Sequence, residues 1–243
     1  MSKLYVVGIG PGNYENMTVR ADRALVECDT IIGYHVYVDL VREHYPEKEF
    51  MTTPMTREAE RCRIALEEAK KGKKVALICS GDSGIYGMAG LVLELRGEAA
   101  EPEIEIIPGL TAAVSGAAIL GAPLTHDFAV ISLSDRLTEW KLIEKRLRYA
   151  AAADLSIVLY NPASHGRPEH LKNACTVLLE CLPADRCCAV ARNIGREGES
   201  CAYMTLSQLA DFPADMFCTV FIGSAATKMI AGKMVTPRGY REV

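Results

Sequence analysis

The sequence lacks an apolar run long enough to cross a bilayer. Its most apolar stretch, Leu110 to Leu124, falls short of the roughly 20 residues a spanning helix needs. That stretch is also broken by Thr111, Ser115, Gly116 and Gly121. There is no excess of basic charge either: 27 Lys and Arg stand against 31 Asp and Glu, a formal net charge of −4. Binding to phosphate backbones needs a basic face, so nucleic acid is not the expected partner. Nine cysteines are present, but none forms a Cys-x-x-Cys pair or a Cys/His ligand spacing. Reduced, mostly buried thiols and no metal site are therefore expected. No Gly-Lys-Ser/Thr occurs, which excludes a P-loop. Met1-Ser2-Lys3 runs straight into the strand-like Leu4-Tyr5-Val6-Val7 with no signal-peptide pattern, so a cytoplasmic location is expected.

What is present is the balance of an ordinary globular protein, 49% hydrophobic and 24% charged. In the first half, Leu4–Gly8, Thr30–Gly33, Val75–Cys79 and Ile104–Ile107 read as strands separated by helical patterns. The clearest helix starts near Thr56, places Cys62, Ala65, Leu66 and Ala69 on one face, and stops at Gly72. Strands alternating with helices predict parallel pairing. After a break at Gly121-Ala122-Pro123, strands are expected at Phe128–Leu133, Ser156–Tyr160, Cys187–Arg192, around Ser200–Met204, and at Thr219–Gly223. Thr138 is the expected cap of a helix carrying Trp140, Ile143 and Leu147. Thr205 to Gln208 has capping-box spacing. The later strands are closely spaced, so this half should hold a mixed sheet. The fold class is thus two α/β domains, residues 1–122 and 123–243, with a ligand cleft expected between them.

Three glycine-bearing turns follow strands. The first, Gly8-Ile9-Gly10-Pro11-Gly12, fails the Gly-x-Gly-x-x-Gly dinucleotide pattern at Asn13, and Pro11 removes a donor. No acidic residue ends the second strand to hold a ribose. The second turn, Ser80-Gly81-Asp82-Ser83-Gly84-Ile85-Tyr86-Gly87, opens a helix near Met88. The third is Pro108-Gly109-Leu110-Thr111-Ala112. Strand C-termini are where open α/β sheets bind ligands, so the three turns together predict one site.

These turns resemble those of the tetrapyrrole (class III) S-adenosylmethionine-dependent methyltransferases. The segments Leu120–Phe128, Ile131–Asp135 and Leu159-Tyr160-Asn161-Pro162 are similar to the branch that methylates precorrin-3B or cobalt-factor III at C-17. The resemblance covers essentially the whole chain. It implies a homodimer, a tetrapyrrole substrate with or without cobalt, and S-adenosylmethionine (SAM) as methyl donor. By motif, Pro11, Ser80, Gly81, Asp82, Ile85, Thr111 and Ala112 would line the cofactor, joined by Asn161, Asn193 and Ile194. Asp82 has an equally good reading as a turn cap. The family's Gly-Asp-Pro reads Gly-Asp-Ser here.

Methyl transfer from a sulfonium is an in-line displacement that needs placement more than a nucleophile. The resemblance adds contraction of the macrocycle, which moves protons and invites a general acid or base. Asp135, Ser134 and His126 are the catalytic candidates, with Asp127 and Ser132 beside them. Helix capping for Asp135 and linker positioning for His126 are the competing readings. Arg136, Arg167, Arg192 and Arg196 are candidates for holding substrate carboxylates. The alternative functions are methylation at another macrocycle position and SAM binding without turnover.

Overall fold

The computed structural model describes residues 2–240. The chain divides between Ala112 and Ala113 into two compact units.

Unit 1 alternates β1 (Lys3–Gly8), α1 (Val19–Glu27), β2 (Thr30–Tyr34), α2 (His35–Asp39), β3 (Glu49–Thr53), α3 (Glu58–Lys70), β4 (Lys74–Cys79), α4 (Ala89–Arg96) and β5 (Glu103–Ile107). The five strands pair in parallel in the order β3-β2-β4-β1-β5. Side chains alternate across the pleat. Tyr5, Val7, Ile31 and Ile78 pack with Ala21, Ala24 and Leu25 of α1 and Val38 of α2. On the other face Leu4, Val6, Val75 and Leu77 pack with Cys62, Ala65 and Ala69 of α3 and Val92 of α4. Both faces are covered, so the inner strands read as unbroken apolar runs.

Two local expectations shift. Helix α3 begins at Glu58, two residues past Thr56, whose φ of 70° places it outside a helix. Strand β3 carried no apolar run because it lies at the sheet edge with one fully buried residue, Thr53.

Unit 2 contains α5 (Ala112–Leu120), β6 (Gly121–Ala122), β7 (Phe128–Ser132), α6 (Trp140–Ala152), β8 (Ser156–Tyr160), α7 (His170–Leu179), β9 (Cys187–Arg192), β10 (Ser200–Thr205), α8 (Leu206–Leu209), β11 (Cys218–Ile222), β12 (Lys228–Ile230) and β13 (Lys233–Val235). The main sheet runs β10-β9-β11-β8-β7 and is mixed, with only β7 and β8 parallel neighbours. The division falls before 122 because α5 and β6 pack into this unit. Gly116 of α5 lies so close to Phe221 and Ile194 that a Cβ there would sit 2.9 Å from the Phe221 ring. Gly121 and Ala122 pair with Met234 and Val235 of β13.

The capping box at α8 is formed: the Gln208 amide donates to Thr205 Oγ1, and the Thr205 amide donates to Gln208 Oε1. The cap expected at Thr138 is not. Helix α6 starts at Trp140 with Glu139 at the cap position and no side-chain bond there. Six of the nine cysteines are buried, none in a disulfide, and burial pushes the Cys62 and Cys175 thiols up to about 12. Among the described residues no helix is long and apolar enough to cross a membrane, and no cluster of metal-ligating side chains occurs.

Candidate functional site

The three glycine turns follow β1, β4 and β5, which are adjacent parallel strands, so all three emerge at the same sheet edge. The chain leaves β1 through α1 on one face and leaves β4 through α4 on the other. Neighbouring strands whose connections depart to opposite faces mark the place where open sheets bind ligands.

Backbone holds the turns together. Gly10 and Gly81 exchange amide-to-carbonyl bonds of 3.0 and 2.7 Å. A Cβ on Gly109 would lie 2.1 Å from the Gly81 carbonyl oxygen, and one on Gly8 2.6 Å from the Gly109 nitrogen. Only glycine permits this approach. Asp82 completes the knot. Its Oδ1 accepts from the Gly84 and Ile85 amides at 2.8 and 2.9 Å, and its Oδ2 accepts from the Gly109 amide at 2.9 Å. The turn-cap reading of Asp82 is thereby realised, and its carboxylate also ties the second turn to the third. Ser83 adds a buried bond from Oγ to the Ile107 carbonyl, 2.9 Å.

The sequence-selected residues of unit 1 all sit on these turns. Pro11, Gly81 and Thr111 are buried, Ser80, Asp82 and Ala112 half-buried, and Ile85 is 43% exposed. Tyr86 beside it is exposed with φ of 54°.

In unit 2, β7, β8 and β9 run in one direction, since β8 and β9 are each antiparallel to β11. Their C-terminal ends bring Ser132, Ser134, Asp135, Asn161 and Asn193 to one edge. Asn161 and Asn193 both take left-handed backbone, φ 54° and 52°, which asparagine tolerates. Asn161 Nδ2 donates to Ser132 Oγ at 2.9 Å. Ile194 is only 7% exposed and packs beside Gly116, so its side chain belongs to the core.

Asp135 is not a helix cap, because α6 begins five residues later. It faces two basic side chains instead: Arg167 Nη1 at 3.3 Å from Oδ1 and His170 Nε2 at 3.2 Å from Oδ2. The His170 approach has ion-pair distance but not hydrogen-bond alignment. Partial burial pushes the Asp135 carboxyl up, and His170 with Arg167 outweighs it, leaving the group below the usual carboxylate range. Arg167 Nη1 also donates to Ser134 Oγ at 2.8 Å. The His170 ring packs edge-on against Trp140, centroids 4.9 Å apart.

His126 does not join this cluster. It precedes β7, whereas Ser134 and Asp135 follow it, a strand length of about 16 Å at roughly 3.3 Å per residue. Its Nδ1 accepts from the Asp127 amide, and it lines a separate cavity of about 240 Å³ with Asp154, Leu155, Ser224 and Thr236. Of the four arginines, Arg167 reaches the cluster, Arg136 is exposed, Arg192 pairs with Asp215 at 3.2 Å, and Arg196 stacks over Phe217.

The comparisons with known proteins fit this geometry. The family model for tetrapyrrole (corrin/porphyrin) methylases matches residues 3–210. This chain belongs to that family. A probable cobalt-factor III C(17)-methyltransferase of Salmonella typhimurium is 46% identical over 98% of this chain and 99% of its own length. A precorrin-3B C(17)-methyltransferase of a Sinorhizobium species is 38% identical over 98% of this chain and 96% of its own. The crystal structure of the methyltransferase CobJ superposes with a TM-score of 0.90 at 36% identity, covering 98% of this tetrapyrrole methylase and all of that chain.

Two functional candidates of this methylase were not singled out in the sequence. His170 opens α7, a helix whose loop-bound start carries no side-chain cap to announce it. Tyr160 ends β8, and its Oη accepts from the Ala113 amide at 2.6 Å, a contact no local pattern foretells.

Proposed function

We propose that this chain is a SAM-dependent C-methyltransferase of corrin-ring biosynthesis, methylating precorrin-3B or cobalt-factor III at C-17 with ring contraction. The observation that carries this reading is the 46% identity spanning almost the full length of both chains.

The unit 1 turns fit SAM by their chemistry. They present bare glycine backbone, the buried Thr111 and the half-exposed Ile85 at one edge, suited to a zwitterion that also carries an aromatic face. The proposed holders there are Pro11, Ser80, Gly81, Ile85, Thr111 and Ala112, with Asp82 fixing the shape of the turns. In unit 2 the proposed cofactor residues are Asn161, Asn193 and, through its backbone, Ile194. When bound, SAM supplies an activated methyl group. The protein's part is to align the acceptor carbon and exclude water. For contraction, Asp135 is the proposed proton-handling group, with Ser134 Oγ held beside it by Arg167. His126, at the other end of β7, is the remaining catalytic candidate and is ranked behind these two.

S-adenosylhomocysteine should raise the melting temperature by mass action, about 2.7 kcal/mol at a hundred times its Kd. NAD and ATP should shift it far less. Gly81→Val should abolish the shift, because φ of 71° is strained for a β-branched residue, although its Cβ would meet only ordinary contacts. An equal shift with NAD would refute the cofactor assignment. Mass and NMR analysis of product from cobalt-loaded and metal-free substrate identifies the methylated carbon and the preferred form.

The proposed assembly is a two-fold symmetric homodimer, the commonest closed oligomer. Light scattering at micromolar concentration should give twice the chain mass. A monomer there refutes it.

A further inference from the structure

Arg61 closes the first turn of α3 and is 3% exposed, yet among the described residues none of its contacts is a carboxylate. Neutral groups alone meet its guanidinium. Nε donates to Thr53 Oγ1 at 2.7 Å, Nη2 donates to the Pro54 carbonyl at 2.9 Å, and Nη1 lies 3.5 Å from Met88 Sδ. Burying a charge without a counter-ion is costly. Its placement adds to the cost, since the first turn of α3 and the cap residue of α4 are both positive ends of helix dipoles. An apolar side chain would fill the space more cheaply, so stability alone does not account for a guanidinium here.

What arginine offers is a rigid planar fork. Its three nitrogens reach the end of β3, the following loop, and Met88, the residue that closes the second glycine turn. Gly87, next to Met88, is packed so closely that a Cβ would lie 2.3 Å from the Ser83 carbonyl oxygen. The Ala89 amide donates to that same oxygen at 3.0 Å. Fixing Met88 therefore fixes Gly87 and Ser83, and Ser83 Oγ carries the constraint to Ile107 at the end of β5. Arg61 and Asp82 are both felt at the Cys79 thiol beneath the turn. Burial holds that thiol up to about 11, the Met88 amide and Arg61 pull it down, and Asp82 raises it.

We propose that Arg61 is a positioning residue for the Ser80–Gly87 turn, splinting it from behind and so setting the affinity for the cofactor. The proposal rests on the reading that this turn belongs to the SAM site. The test is calorimetric titration of the full chain with S-adenosylhomocysteine, comparing wild type with Arg61→Met and Thr53→Val, alongside melting temperatures. Replacing a buried charge by an apolar group is often neutral or stabilising, so Arg61→Met should melt near wild type. It should nonetheless bind S-adenosylhomocysteine about ten- to a hundredfold more weakly, as a misplaced binding group does. Thr53→Val, which removes one partner of the fork, should lose less, and KM for SAM should rise with little change in kcat. A merely structural role would instead lower the melting temperature and leave the affinity of the folded protein intact. Wild-type affinity in both variants overturns the proposal alone, whereas no binding by wild type overturns the cofactor reading with it. Should Arg61→Met not fold, Arg61→Lys and Thr53→Val decide by the same criterion.

Discussion

Gly109→Ala should cost this protein more than any other single methyl group, upwards of about 3 kcal/mol in urea unfolding. The added Cβ would stand 2.1 Å from the Gly81 carbonyl oxygen and 2.6 Å from both the Gly8 carbonyl carbon and oxygen. These are backbone atoms at the ends of two central strands, and they cannot swing aside as a side chain could. To admit the methyl, the third turn must withdraw from the first two. That movement stretches the bond from the Gly109 amide to Asp82 Oδ2. Binding of S-adenosylhomocysteine should be lost with it. Gly90→Ala in α4 is the matching control. Nothing lies within 4 Å of its added methyl, so it should gain about 0.5–1 kcal/mol from helix propensity. Equal stability of the two variants would show that the turns are not locked by glycine backbone contact.

Asp135→Asn should divide methyl transfer from ring contraction. Asparagine keeps the size and much of the hydrogen bonding toward Arg167, but it loses the charge that answers Arg167 and lies beside the His170 ring. A proton-transfer group contributes about 10²–10⁴-fold, so contracted product should fall by that order. S-adenosylhomocysteine affinity should remain, and a methylated, uncontracted macrocycle should accumulate, unless contraction comes first and the reaction stalls before methylation. Near-normal yield of contracted product would reject the role and pass it to Ser134. The same variant has a stability signature. The Asp135 carboxyl titrates below its ordinary range in the folded protein, with burial opposing and His170 and Arg167 prevailing. Its stabilising contribution is therefore complete above the ordinary carboxylate pKa, about 3.9, and fades as pH falls through the lowered folded value. Asp135→Asn should lack that part of the acid loss while wild type shows it.

The strands and glycine turns of unit 1 were legible in the sequence because local physics specifies them. A strand covered on both faces must be apolar throughout, and β1 and β4 are. Turns that bring backbone against backbone must be glycine, and Gly8, Gly81 and Gly109 are. Thr205 and Gln208 announced their helix for the same reason, since a capping box is complete within four residues. Where packing rather than local preference decides, the sequence was mute or misleading. Edge strand β3 buries too little to show a run. Helix α5 counts with unit 2 because Gly116 accepts Phe221, a partner more than a hundred residues away.

The site divides along the same line. Asp82 was visible as an acidic turn residue, but only the return of β5 beside β1 gives it the Gly109 amide to hold. His126 and Asp135 look like neighbours in the chain, and an extended strand between them carries them to opposite ends of a sheet. Arg61 looks like one more charge on a helix until β3 and α4 close over it. Residue type and spacing thus determined where strands end in glycine turns and which side chains those turns carry. Which side chains face one another depended on strand order and register, because these join residues far apart in the chain through contacts that no local segment encodes.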